Sequence, residues 1–189
     1  MDGNFIEQTL RPATAEDAEI IMQGFEMAGS GMPEHFWNEA RKPGQSLADV
    51  ALSRMRDKIA DPDQTITIAG DGLGAIISYD IPDEPEPLEG LRPLIRPLVV
   101  LENQAPGTHY INMLAVQPHA RRLGLGRLLI ASARRAANGK PLSLTVDDTN
   151  TKARALYDSE GFVEIAREPL VSDGWQASGN HFILMIEGI

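Results

Sequence analysis

Apolar positions along the chain follow two spacings. Ala18, Ile21, Met22 and Phe25 recur at i, i+3, i+4 and i+7, the stripe of an amphipathic helix, and Thr14 with Asp17 just ahead has capping-box spacing. Gly29-Ser30-Gly31 ends that helix. Pro33 to Ala40 reads as a second short helix. Ser46 and Asp49 open a third, with Ala48, Leu52, Met55 and Ile59 on its predicted buried face, and Asp61-Pro62 stops it. Strand-like runs cover Phe5 to Leu10, Thr65 to Ala69 and Ala75 to Ile81, the last two joined by a Gly70-Asp71-Gly72 hairpin turn. After residue 107 the pattern becomes regular. Tyr110–Val116, Leu142–Val146, Phe162–Ala166 and His181–Ile186 are predicted strands. A helix with Leu125, Leu128, Leu129, Ser132 and Ala136 on one face closes at Asn138-Gly139, and another runs from Asn150 to Glu160. This order predicts one mixed sheet with helices on both faces.

The regular pattern breaks between Pro82 and Gly107, where six prolines accompany Asp83, Glu84, Glu86 and Glu89. Leu94–Leu101 is expected to form one helical or extended turn there. Such a loop is either functional or a solubilising surface insertion. The 189 residues suit one domain over 1–189. Cysteine is absent, which excludes disulfides, thiolate metal sites and a cysteine nucleophile. No apolar run reaches the roughly 18 residues of a membrane span and the N-terminus reads as no signal peptide, so the expected location is cytoplasmic, with no membrane partner.

The net charge of −10 argues against nucleic-acid binding. It is unevenly spread: 19 acidic residues lie up to Glu102 and 8 from Asp147 onward, with none between. That acid-free window carries Arg121, Arg122, Arg127, Arg134, Arg135 and Lys140, which suits either a bound anion or a helix with a solvated basic face.

Inside the window, Val116 to Arg127 joins a strand to a helix through a basic turn with Gly124 and Gly126. Glycine lets backbone approach a ligand, and a helix start offers unpaired N–H groups to phosphate. Neither common phosphate motif fits. Gly126 is followed by Arg127-Leu128 rather than Lys-Ser/Thr, and Leu129 stands where a dinucleotide fingerprint needs its third glycine. Arg121–Gly126, read as R-x-x-G-x-G after Leu114-Ala115-Val116 and Pro118, resembles the acyl-CoA pyrophosphate loop of the GNAT superfamily of N-acetyltransferases. Asn150-x-x-Ala153-x-x-Leu156-Tyr157-x-x-x-Gly161-Phe162 is similar to that family's next helix, and Leu10-Arg11-Pro12-Ala13-Thr14 with Glu16-Asp17 to its first strand and helix. Met32–Arg41 and the acidic loop lie outside the shared pattern.

The resemblance implies an α/β (α+β) fold, with a mixed, mostly antiparallel sheet of about six to seven strands, a splayed fourth and fifth strand, and helices on both faces. It implies acetyl-CoA as cofactor and transfer to a primary amine by direct attack in a ternary complex. In that reading Leu114, Ala115 and Val116 pair with the pantetheine arm. An N–H near Leu114 stabilises the oxyanion. Arg121, Arg122, Leu123, Gly124, Leu125, Gly126 and Arg127 hold the phosphates, and Asn150 and Ala153 meet the pantetheine. Tyr157 also touches the cofactor and is the general acid. Spacing alone favours a core tyrosine at Tyr157, and the alternative for Asn150 is a helix cap. A phenol near 10 is nearly matched to a thiol near 8.5.

The acceptor amine needs a base, for which Glu34 and a water relay are the candidates. Asn112 can only position a water. His35, Phe36, Trp37 and Tyr79 join Glu34 and Asn112 as expected substrate residues, while Phe36 and Trp37 equally suit packing of the helical layer. The acidic loop suits a cationic small-molecule or peptide amine. His109, His119 and His181 have no ligand partner at useful spacing, so no metal is expected. A non-catalytic acyl-CoA-binding module is the alternative, and transfer of a longer acyl group is a variant. The oligomeric state, a homodimer included, stays open.

Overall fold

The computed structural model describes residues 10–188. The strand predicted over Phe5–Leu10 lies outside them except for Leu10, which opens β1 (Leu10–Pro12). β2 (Thr65–Ala69), β3 (Gly74–Asp80), β4 (His109–Val116), β5 (Leu142–Asp147), β6 (Phe162–Pro169) and β7 (His181–Glu187) follow, in one seven-stranded mixed sheet of order β1-β2-β3-β4-β5-β7-β6. Six α-helices are described: α1 (Ala18–Ala28), α2 (Met32–Glu39), α3 (Leu47–Ala60), α4 (Arg96–Glu102), α5 (Leu125–Ala136) and α6 (Thr151–Ser159). The predicted GNAT architecture is therefore the observed one. The chain groups into two compact units, and β3, β4 and α5 each run from one unit into the other.

The first unit holds the residues up to Ser78 together with Met113–Ser132. Here β1, β2 and β3 are antiparallel, with Leu10 opposite Ala69 and Ile66 opposite Ile77. One face of these strands (Ile66, Ile68, Ala75, Ile77) and Met113 and Ala115 of β4 share a core with Ala18 and Ile21 of α1, Trp37 of α2, and Val50, Ala51 and Met55 of α3. Gly24 of α1 has no room for a side chain, because a Cβ there would stand 2.9 Å from Met113 Cε. The Thr14–Asp17 capping box forms, but around a 3₁₀ turn, Ala15–Asp17, that precedes α1. Arg11 clamps the buried Asp17 carboxylate with two 2.7 Å bonds, and Thr14 N–H donates a third. Arg11 above all holds Asp17 down at about 2.

Two predicted faces are rotated. In α3 the buried residues are Val50, Ala51 and Met55, Leu52 and Ile59 are half-buried, and Ala48 is exposed. In α5 they are Leu125, Leu129, Ile130 and Ala133, while Ala136 is exposed. Alanine is nearly neutral between water and core, so Ala48 and Ala136 weigh little in locating a stripe.

The second unit holds Tyr79–Asn112 and the residues from Ala133. β4 runs parallel to β5, and β7 lies antiparallel between β5 and β6. Within the segment predicted as a loop, the turn expected over Leu94–Leu101 is helical and forms α4, packed on β5, β6 and β7. Arg134 fastens the C-terminal strands, donating to Glu160 Oε2 at 2.9 Å, to the Glu160 carbonyl at 2.8 Å, and to Glu187.

Candidate functional site

The basic turn belongs to the first unit. β4 ends at Val116, and Gln117 is fixed at once: its N–H donates to Leu73 O at 2.8 Å and its Nε2 to Gln23 Oε1 at 3.1 Å. A 3₁₀ turn, Pro118–Ala120, follows and buries Ala120. Arg121, Arg122, Leu123 and Gly124 are then all exposed, Leu123 by 63%. Arg122 (φ 68) and Gly124 (φ 85) are both left-handed, so the backbone reverses twice before α5 begins at the buried Leu125. Arg121 Nε donates to Val116 O at 3.1 Å, which ties that side chain to the end of β4.

Leu128 N–H donates to Gly124 O at 3.1 Å in the first turn of α5, and the N–H groups of Leu125 and Gly126 stand at the start of that helix. A Cβ at Gly124 would meet nothing within 4 Å. The open space, the helix start and the exposed arginines fit a ligand with several phosphates. Upstream, Leu114 and Val116 are half-buried, in alternation with the core residues Met113 and Ala115.

The other predicted cofactor residues, Asn150, Ala153 and Tyr157, lie in the second unit. Asn150 caps α6, its Oδ1 accepting from Ala153 N–H at 3.2 Å, so the cap role is filled. Tyr157 is 7% exposed, with its ring 5.6 Å from that of Phe162 and no hydrogen-bond partner for its hydroxyl among the described residues. Burial pushes the phenol up to about 12. The near match to a thiol expected from the sequence is thereby widened to about 3.5 pH units.

The β4–β5 ladder stops at Ile111 and Leu144. Asn112 and Thr145, next in line, are not paired. Asn112 Oδ1 is buried without a partner, and so is Asp147 Oδ2 at the end of β5. Asp147, which stands near the acidic position of the dinucleotide fingerprint that the loop does not otherwise fit, was not among the expected site residues.

The substrate candidates divide between the units. In the first, Glu34 Oε2 is buried and unpartnered, and the carboxyl of Glu26 is raised by burial and by the charge of Glu34. His35 stands edge-on to Phe36, with Nε2 at 3.4 Å from Glu39 Oε1. Trp37 is 4% exposed and belongs to the apolar core, which corrects its expected place on an open wall. Its helix α2 packs on α1 and α3, which contribute Ala18, Ile21, Val50, Ala51 and Met55 to the same buried cluster.

In the second unit, Tyr79 stacks at 5.4 Å on Tyr110 and its hydroxyl donates to Glu102 Oε2 at 3.4 Å. Burial, then the charge of Glu102, raises both phenols. Asp83, Glu84, Glu86 and Glu89 are exposed, and Asn103 pins the loop by paired bonds of 2.8 and 2.9 Å with the Glu86 backbone. Among the described residues no group of three or more His, Asp or Glu is gathered for a metal, and no helix is long and apolar enough to cross a membrane.

The model of the acetyltransferase (GNAT) family matches residues 32–162. No curated protein matches the sequence significantly. Among solved structures, a histone acetyltransferase HPA2 and related acetyltransferase from Corynebacterium glutamicum superimposes with a TM-score of 0.62 at 21% identity, covering 95% of each chain. Ard1 from Thermoplasma volcanium gives 0.57 at 16%, covering 94% of this chain and 95% of the other. The aminoglycoside N-acetyltransferase AAC(6')-Iy in complex with CoA gives 0.57 at 15%, covering 87% and 93%. At these identities the likeness shows the fold, and two of the names carry different acceptors, a histone and an aminoglycoside.

Proposed function

Since the chain belongs to the GNAT acetyltransferase family, whose cofactor is acetyl-CoA, we propose that it is an N-acetyltransferase acting on a primary amine by direct attack in a ternary complex. The carrying observation is the doubly left-handed turn at Arg122 and Gly124, opening into the start of α5 between exposed arginines. Acetyl-CoA supplies the acetyl group as a thioester. Backbone N–H groups from Arg122 to Arg127 would take the pyrophosphate, with the guanidinium groups of Arg121 and Arg122 beside it. The backbone of Leu114, Ala115 and Val116 would bind the pantetheine arm as an added strand. An N–H near Leu114 would stabilise the oxyanion.

Tyr157 would hold a proton at Oη and release it to the leaving sulfur. At about 12 it is protonated throughout the working range, so the acid is always loaded. Glu34 Oε2, buried without a donor, is the candidate proton acceptor. Asn150 would use its Nδ2, since Oδ1 is spent on the helix cap.

The unpartnered, strongly raised Tyr157 favours a second reading, a module that binds acyl-CoA without turnover. Calorimetry with acetyl-CoA tests what both share: Arg121→Glu or Gly124→Asp is expected to weaken binding at least about tenfold. Unchanged affinity would remove the loop from either reading.

A further inference from the structure

We propose that Asp148 and Gly179 are positioning residues for Asn150: together they lock the end of the loop between β6 and β7 against the turn that opens α6. This deepens the acetyltransferase reading and rests on it for the contact between Asn150 and acetyl-CoA. Asn150 Oδ1 is spent on Ala153 N–H, so Nδ2 is the donor that this side chain can offer, and its place depends on the backbone that carries it.

That backbone is a short turn, 147–150, with a carboxylate at each of its first two positions. Asp147 shapes the turn from within. Its Oδ1 accepts from the N–H of Thr149 at 2.8 Å and from its hydroxyl at 2.6 Å, and its carbonyl accepts from Asn150 N–H at 3.0 Å. Asp148 reaches the other way, to the start of β7. Its Oδ1 accepts from Asn180 N–H at 3.1 Å, its Oδ2 lies 3.4 Å from His181 Nδ1, and its own N–H donates to His181 O at 3.0 Å. Burial alone would raise the Asp148 carboxyl, but Asn180 N–H and then His181 outweigh it and hold it low, so the anchor stays charged at neutral pH.

Gly179 lies where the loop meets both carboxylates. A Cβ there would collide with Asp147 Oδ1 and with Asp148 Oδ1, each already held by the bonds above. Gly179 is not left-handed, so space rather than backbone strain demands the glycine. The remainder of the loop supports the lock. Leu170 N–H donates to Asn180 O at 2.9 Å, closing residues 170–180 at their root, and Trp175 is buried between the two ends. Lifting the root from the doublet therefore shifts the turn, and with it the direction of Asn150 Nδ2. Asp148 and Gly179 act through Asn150, as supports that hold a binding group in its working geometry.

Calorimetry with acetyl-CoA tests the proposal, with thermal melting to confirm that each variant folds. Gly179→Ala is expected to weaken binding at least about fivefold, and Asp148→Ala by a similar factor. Asp148→Asn, whose amide oxygen still accepts from Asn180, should stay within about twofold of the wild type. Asn150→Asp keeps the cap oxygen and removes the Nδ2 donor. In that background Gly179→Ala should add less than about twofold, because the group it displaces is gone. A purely structural lock would lower the melting temperature and leave affinity unchanged, or would weaken binding equally in both backgrounds, and either result overturns the positioning role. If Gly179→Ala does not fold, Asp148→Ala and Asp148→Asn, alone and combined with Asn150→Asp, carry the same comparison. A wild-type protein that binds no acetyl-CoA overturns the acetyltransferase reading itself, and the proposal with it.

Discussion

Tyr157 carries the sharpest conflict at the scale of single residues. Its spacing suits a core position and its family match suits a proton donor, and the structure gives it features of both: a ring packed on Phe162 and a hydroxyl with no partner. Tyr157→Phe keeps the packing and removes only that hydroxyl. As general acid, its loss should lower kcat by about 10²–10⁴ while leaving acetyl-CoA affinity nearly intact, read by steady-state kinetics and calorimetry. Near-normal kcat returns Tyr157 to packing. Because burial raises it from 10 to about 12, its own titration cannot produce an alkaline fall in rate below about pH 10. Trp37 shows the opposite outcome. Beside His35 and Phe36 it reads as a recognition aromatic, yet nothing in a linear pattern distinguishes an indole on a cleft from one under a sheet.

Among the elements, the best-read boundaries are those with local chemistry. β2 begins and ends where its hairpin signals put it, and Ser46 with Asp49 forms the capping box at α3 through bonds of 3.1, 3.0 and 2.7 Å. β6 runs three residues beyond its predicted end, since Arg167, Glu168 and Pro169 carry no apolar signal and are held by pairing with β7. α4 was obscured by the prolines around it, one of which sits in its own first turn, where proline is tolerated. The pairing of Arg11 with Asp17 was equally hidden, because it depends on how β1 meets the turn before α1. It has a measurable consequence. Asp17 is held at about 2 against an ordinary value of 3.8, so its contribution is present above pH 4 and lost as pH falls through 2. Acid titration of stability should show a loss of up to about 2 kcal/mol over that window, and Asp17→Asn should flatten it. An unchanged acid limb would contradict the clamp.

For the whole molecule, the ligand class was more legible than the acceptor. An acid-free window in a chain of net charge −10 left an anion and a solvated basic face both open, and the R-x-x-G-x-G pattern inside it pointed to acyl-CoA. Which buried oxygens lack partners, as Asn112 Oδ1 and Asp147 Oδ2 do, is a property of the folded strands that a linear pattern does not carry. That β3, β4 and α5 each run through both compact units supports treating residues 1–189 as one domain, which is the reading proposed here. The most direct measurement is release of free thiol from acetyl-CoA by the intact protein in the presence of a panel of primary amines, with the product identified by mass spectrometry. Amine-dependent thiol release with an N-acetylated product, strongly reduced in Arg121→Glu, is the predicted result. Acetyl-CoA binding without turnover of any amine would contradict it and leave the chain as an acyl-CoA-binding module.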